Sequence, residues 1–359
     1  MWILVCGMGL AGTIILINKV WTQYSTSPTI TSVENTHYPI WNIPFPAVTI
    51  CNVNKVHYAA AKELYEKEFV GFLDKEEYWA FVQQMAEIIQ PEGIDFQLDL
   101  NRIQEVFKNR SFNMESLMKR LTQPCSSMLI KCKWRGKRTS CDSLFTMSKT
   151  DAGFCCSFNY FPPDNNEDVT PRRVNGAGYL TGLSMLIDPR LEDYYAALFS
   201  FYGVQVLVHS YQDYPEISAR GILLAPQKEA FLQVSAASTY STPEVRGLKK
   251  EQRQCLFEDE HFTTNTTNNN DTAHGEYSYS NCLIQCRMNY MNKLCHCAPY
   301  FFPIGIFNNL QSPQKLPGLD DNENAMSCDC HPTCADVTYS AEISESNFFK
   351  SEYDVTNFL

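Results

Sequence analysis

The sequence predicts an α+β fold: one transmembrane helix followed by a large, disulfide-rich extracellular domain. Three observations carry that prediction. The chain opens on an unbroken apolar run from Met1 to Ile17. It holds 15 cysteines in 359 residues, too many for a reducing compartment. Beyond the apolar run, stretches with a 3.6-residue hydrophobic period give way to short β-branched runs and back again. Hydrophobic residues make up 44% of the chain and charged residues 19%, a composition that folds. The mean hydropathy of −0.27 excludes a bundle of many membrane spans. A net charge of −11 with no long basic stretch argues against a nucleic-acid partner.

Within the apolar run, Thr13 is the one clearly polar side chain, and Asn18 and Lys19 close it. A spanning helix takes roughly 20 such residues. The rival reading is a cleaved signal peptide, which would show a charged leading region and a small-x-small cleavage site. Neither pattern is present in these residues, whereas Trp21 and Tyr24 suit an aromatic belt at the outer interface. The cysteines then place everything after Tyr24 outside the cell. Three N-x-S/T triplets, at Asn109, Asn265 and Asn270, are glycosylation candidates on that side.

Residues 25–40 form a Ser/Thr/Pro connector. The run Ala47 to Cys51 reads as a strand entered through the rigid turn of Pro44 and Pro46. From about Lys55 to Leu121 the period is helical. Asp74 and Glu77 form a capping-box pair, after which Tyr78, Phe81, Val82, Met85 and Ile89 share one face and Pro91 ends the helix. Further stripes run through Leu100, Ile103, Val106 and Phe107, and through Leu117, Met118 and Leu121. These are packing faces rather than chemistry. Residues 153–245 turn β-like, with Val204, Val206 and Val208 alternating with Gln205, Leu207 and His209, and Ala230 to Tyr240 alternating again. Residues 280–294 return to helix with Ser280 as its N-cap, and 335–343 form a final strand.

Cys6 lies in the apolar run, which leaves an even number of cysteines outside, as a disulfide framework requires. Cys282 and Cys286 are four apart on a helix and share a face; Cys328 and Cys330 are two apart on an extended segment and also share a face. Spacing permits an antiparallel ladder, Cys286 with Cys328 and Cys282 with Cys330, closed by Cys255 and Cys334. The competing reading is a zinc site at Cys295-His296-Cys297 and Cys328-Asp329-Cys330-His331, but structural zinc favours C-x₂₋₄-C spacing. No nucleophile–base grouping, phosphate loop or paired catalytic carboxylate stands out, so no enzyme, cofactor or metal is expected.

Six ordered motifs carry a resemblance. They are Ile43 to Asn52 (IPFPAVTICN), Cys132 to Gly136 with Cys141, and Gly153 to Asn159 (GFCCSFN). Arg253 to Glu258 with Tyr277 to Cys286, Cys295 to Pro303, and Cys328 to Cys334 continue the series. Together they resemble the degenerin/epithelial sodium channel family, with GFCCSFN most similar to its insect pickpocket branch. The resemblance implies a trimeric, amiloride-blocked, sodium-selective channel in the plasma membrane, homo- or heteromeric, whose ectodomain senses a ligand, protons or force. It divides the chain into a first transmembrane helix (1–21), a wrist and first palm strand (22–52) and a mainly helical finger (53–150). Palm and β-ball strands (151–250), a cysteine-rich thumb (251–334) and a returning palm strand (335–359) follow.

Carried over residue by residue, the resemblance implies the bridges Cys51–Cys155, Cys132–Cys141, Cys255–Cys334, Cys282–Cys330 and Cys286–Cys328. It leaves Cys125, Cys156, Cys295 and Cys297 unassigned. The chain departs from the family pattern in having no cytoplasmic leader and no second membrane helix with its selectivity filter. Glu251 also stands where acid-sensing relatives place an aromatic that couples thumb to membrane. The alternative function is a non-conducting, single-span modulatory or decoy subunit.

Overall fold

The computed structural model describes residues 1–26, 28–89, 107–108, 113–162, 170–197, 199–260, 277–295, 299–302 and 328–347. Helix α1 (Trp2–Thr26) is long and apolar enough to cross a membrane, and none of its residues is buried by the rest of the chain. It continues past the expected boundary at residue 21 because nothing there breaks it. The Thr22 hydroxyl donates to the Asn18 carbonyl and that of Thr26 to the Thr22 carbonyl, each at 2.8 Å, so the polar end ties itself to the helix.

Five antiparallel strands form the central sheet in the order β10 (Ile222–Leu224), β9 (Val204–His209), β1 (Ala47–Asn52), β6 (Gly153–Phe158), β5 (Phe145–Thr150). Strands β1 and β6 lie in the middle and are buried at every residue, which is why both read as continuous rather than alternating runs. A polar cluster crosses them: Thr49 Oγ1 bonds Ser157 Oγ at 2.7 Å and His209 Nε2 at 2.9 Å. On one side the sheet is closed by an aromatic knot, in which the Phe45 and Trp134 rings meet edge-on at 4.8 Å and both reach Phe158. Phe45 is delivered by the proline turn. Its N–H donates to the Arg172 carbonyl at 2.7 Å, and its carbonyl accepts from Asn159 Nδ2 at 2.5 Å.

Helices α2 (Tyr58–Leu64), α3 (Lys75–Ile89) and α4 (Met114–Leu121) form a second layer, and α2 widens into a π-helical turn at Tyr65–Phe69. Their shared core includes Tyr78, Phe81, Val82 and Met85 from α3 and Leu117, Met118 and Leu121 from α4. Each such side chain contributes about 1.5–3 kcal/mol on burial. Phe154 of β6 enters the same core and joins the two layers. Asn113 caps α4, its Oδ1 accepting the Glu115 N–H at 3.0 Å. The stripe at Leu100, Ile103 and Val106 lies outside the described residues, as do the side chain of Ile89 and Pro91, while Phe107 packs on the helical core.

Among its described residues, the segment 53–150 holds strands as well as helices. Strand β2 (Asn54–His57) pairs with β8 (Tyr194–Ala197), and β3 (Leu129–Trp134) pairs with both β4 (Lys137–Thr139) and β7 (Leu183–Ile187). Strand β5 belongs to the central sheet. The helical period holds for the stretch before residue 122, and β-branched and bridged residues take over after it.

Strands β11 (Lys228–Thr239) and β12 (Asp336–Asn347) pair along twelve residues as a two-stranded ribbon. Gly203 precedes β9 with φ +145°, and a Cβ there would sit 2.2 Å from the Leu224 carbonyl, so no other residue fits.

Candidate functional site

The last long helix, α5 (Tyr279–Cys295), is clamped from two directions. On one side Cys282 and Cys286, one turn apart, bridge to Cys330 and Cys328, each pair with Cα atoms 5.9 Å apart. Cys255 bridges Cys334 beside a short parallel contact, where Leu256 N–H donates to the Pro332 carbonyl at 2.9 Å and Cys334 N–H to the Leu256 carbonyl at 2.7 Å. The result is a ladder of two rungs between a helix and extended chain, with the third bridge closing it from Cys255. The Tyr277 hydroxyl adds a fourth tie, donating to the His331 carbonyl at 2.5 Å.

On the other side, the loop that follows β9 grips the start of α5. Asn281 does this with both ends of its amide: Oδ1 accepts the Tyr214 N–H at 2.8 Å and Nδ2 donates to the Gln212 carbonyl at 3.0 Å. The Ser278 hydroxyl donates to Asp213 Oδ1 at 2.5 Å. Arg287 pairs with Glu216, and the Tyr214 hydroxyl donates to the Phe301 carbonyl at 3.0 Å over a core of Ile284, Met288, Phe301 and Phe302. Ser278, not Ser280, caps this helix, accepting the Asn281 N–H at 3.5 Å. Ser280 sits inside the first turn and contributes to the Asp213 side chain instead.

This clasp is electrostatically unusual. Burial pushes the Asp213 carboxyl up, against the opposing bonds from Ser278 and Ser280. Burial holds His209 down to about 4, so it sits in the sheet as a neutral imidazole. Between them lies a cavity of about 10 Å³ that Tyr214, Glu216, Arg220 and Ser280 also line. A second buried group, Lys55, is lowered to about 7 by burial, with Asp151 working the other way. Asp151 in turn accepts the Ile217 N–H at 2.6 Å, tying the same loop to the β5–β6 turn.

Below the ladder, the segment 246–260 forms a compact base. The Arg246 and Arg253 guanidiniums both lie over the Phe257 ring, at 4.2 and 4.9 Å from its centroid. Asp259 pairs with Arg246, and Glu260 with the buried Arg253. This base touches the membrane helix through Gln252, whose Nε2 donates to the Ser25 carbonyl at 3.3 Å. Glu251, beside it, is exposed.

The other cysteines staple the sheet. Cys51 of β1 is bridged to Cys155 of β6, Cys125 to Cys156, and Cys132 to Cys141. Cys125 and Cys156, which sequence reading leaves without partners, are thus joined. Cys6 is the free cysteine among the described residues. The side chain of Cys295 and all of Cys297, Asn109, Asn265 and Asn270 lie outside the described residues. Cys328 and Cys330, two ligands of the zinc alternative, are committed to disulfides. Sequence reading missed the clasp and the arginine–phenylalanine base. The clasp's side chains come from positions 65 or more residues apart, with no spacing to betray them, whereas the R-x₆-R-x₃-F-x-D-E pattern of the base was there to find.

A single apolar helix long enough to cross a membrane leads into a disulfide-bridged sheet, with a second long helix clasped against it. The family model described as amiloride-sensitive sodium channel matches residues 1–358, and the chain belongs to that family, one of ion channel subunits rather than enzymes. Among similar proteins, Pickpocket protein 28 of Drosophila melanogaster is 25% identical over 380 residues, covering 93% of this chain and 58% of the relative. The Sodium channel protein Nach of Drosophila ananassae is 25% identical over 96% of this chain and 66% of its own length. Acid-sensing ion channel 1C of Danio rerio is 27% identical over 89% and 58%. The chain therefore spans less than two thirds of the length of these relatives.

Proposed function

We propose that this chain supplies the first membrane helix and the sensing ectodomain of a subunit of an amiloride-sensitive sodium channel in the plasma membrane. Its extracellular part receives a ligand, protons or force and passes the displacement to a pore that the chain's described residues do not include. In this reading the central sheet is the palm, α2 to α4 the finger, and α5 with its ladder the thumb. The observation that carries the reading is the clasp. One end of the thumb is locked to the palm by Asn281, Ser278 and Arg287, while its base meets the membrane helix at Ser25. A stiff element held at one end and touching a membrane helix at the other transmits a small motion without absorbing it.

Assembly as a homo- or heterotrimer with related subunits completes the proposal. The β11–β12 ribbon supports it, being exposed along much of its length, since an isolated two-stranded ribbon is marginal without a neighbour. The test is electrophysiology of the full-length transcript in oocytes, alone and with pickpocket relatives. An inward sodium current blocked by amiloride is expected in at least one combination. Its absence from every combination, with the protein at the cell surface, would overturn the proposal.

A further inference from the structure

Strand β2 buries a lysine: all of its residues are buried, and Lys55 is 2% exposed. The pairing with β8 explains how a lysine comes to lie there. Asn54 stands opposite Ala197 and Val56 opposite Ala196, so Lys55 is an extra residue with no place in the ladder. A bulge of this kind re-aims the side chain it carries. Val56 enters the helical core, and Lys55 comes under the field of Asp151 in the β5–β6 turn. Among the described residues, Lys55 Nζ has no hydrogen-bond partner. A buried ammonium ordinarily needs such partners, because taking its charge out of water is costly.

Asp151 holds a second group. Its Oδ1 accepts the Ile217 N–H at 2.6 Å, so the carboxylate that acts on Lys55 also latches the short helical turn Ile217–Arg220. Ile217 is fully buried among Cys51, Ala152, Cys155 and Leu207, a dry setting in which charge is strongly felt. The turn continues the loop whose Tyr214 and Glu216 grip α5. The other ionisable groups around it are engaged with one another. His57 of β2 pairs with Asp193, Lys149 of β5 with Glu115, Asp213 with Ser278, and Glu216 with Arg287 and Arg220. On β8, the Tyr194 hydroxyl donates to Asn52 and that of Tyr195 to the Trp79 carbonyl. Glu77, the half-buried acid of α3, belongs to the helical layer that Val56 enters.

We propose that Lys55 is a release for this turn. Its neutral amine lets the Ile217–Arg220 turn stay seated on Asp151, and its ammonium form favours lifting of the turn, which gives both charges water. The direction follows from linkage. The closed site holds the amine at about 7, and a hydrated amine returns toward the ordinary 10.5. The lifted state therefore binds the proton more tightly. Lifting is easiest below pH 7 and becomes harder above it, by about tenfold per pH unit. The clasp thereby gains a control that works near neutrality. The inference concerns the hold on the turn and not conduction, so its failure and that of the channel reading are separable.

The test is hydrogen exchange read by mass spectrometry on the full chain in neutral detergent micelles, from about pH 6 to about pH 9. Exchange from an open amide is first order in hydroxide. In the unaltered chain, exchange across residues 213–220 is expected to rise with hydroxide up to about pH 7 and then to level off, because lifting falls as hydroxide climbs. Lys55→Met keeps the bulk without the charge, so its exchange should start slower and rise with hydroxide throughout. Lys55→Arg keeps the charge at every pH, so its exchange should also rise throughout, from a faster start. Exchange in the unaltered chain that rises with hydroxide over the whole range would overturn the proposal, whether or not a variant folds. So would levelling that persists in Lys55→Met. Equal levelling in peptides from α2 and α4 would mark unfolding of the whole domain, and would overturn a local release as well.

Discussion

The two ends of the unit built on α5 are held by different kinds of bond. At its head, α5 is fixed by two disulfide rungs, with the Cys255–Cys334 bridge beside them, and by part-buried polar ties to the post-β9 loop. At its base, the contact with the membrane helix is one side-chain amide on one backbone carbonyl, Gln252 to Ser25. The base itself is stiff, with Arg253 buried and paired, so the thinness lies in the contact and not in the element that makes it. On the proposed reading, the contrast sets where a displacement would go. A lever must not yield where it is anchored, and must be able to slip where it acts.

Breaking the anchor should cost most. Cys282→Ala or Cys286→Ala removes a rung, and loss of a native bridge typically costs about 2–5 kcal/mol. Surface biotinylation should show both variants retained inside the cell, and normal surface delivery of both would count against the ladder as an anchor. Arg253→Ala probes the stiffness of the base. It leaves Glu260 without its partner and Phe257 without one of its two cations, and should cost about 3 kcal/mol in thermal unfolding. A loss under about 1 kcal/mol would mean that the base is not rigid.

Acid should loosen the anchor in a defined window. His209 stays neutral in the fold down to about pH 4, against 6.5 for an ordinary imidazole. The unfolded chain therefore takes up this proton first as pH falls. Stability fully present above pH 6.5 is lost between 6.5 and 4, by about 3 kcal/mol at most. Asp213 acts with the opposite sign: its raised carboxyl is protonated first in the fold, which gains stability as pH falls toward the ordinary 3.8. Melting curves across this range should flatten for His209→Gln and steepen for Asp213→Asn.

Smaller effects sharpen the contrast further. Asn281→Ala removes two hydrogen bonds from the clasp, about 2 kcal/mol in all, and hydrogen exchange should quicken in residues 210–216 before anywhere else. Gln252→Ala should barely move the melting temperature, by under about 1 kcal/mol. Its effect is expected in the strength of stimulus that full-length channels need. Unchanged gating in Gln252→Ala would remove the wrist from the pathway.

What sequence could reveal followed from locality. The membrane helix, the α3 and α4 stripes and the paired spacing of Cys282/Cys286 with Cys328/Cys330 are short-range patterns, visible because side-chain direction repeats every two or 3.6 residues. The fold class was legible on the same basis. Past residue 122 local periodicity says less, because β3 and β5 owe their conformation to β7 and β6, partners that no local period names. The clasp was invisible for the same reason. Asn281 looks like any polar residue early in a helix until the loop at 212–214 is folded onto it. The sequence pattern names Ser280 as the cap, whereas Ser278, bonded to Asp213, takes that place in the fold.

The neighbours Cys155 and Cys156 have a consequence for how the chain is made. Side chains that follow each other on a strand point to opposite faces, and here one is bonded forward to β1 through Cys51 and the other backward to the turn at Cys125. An exchange of those two partners would require β6 to turn over, carrying Phe154 and Phe158 out of their cores. Oxidation that outruns the seating of β6 would therefore trap an inverted strand, one that only thiol–disulfide exchange could release. Production of this subunit is a matter of timing: the strand must be seated before the thiols are spent.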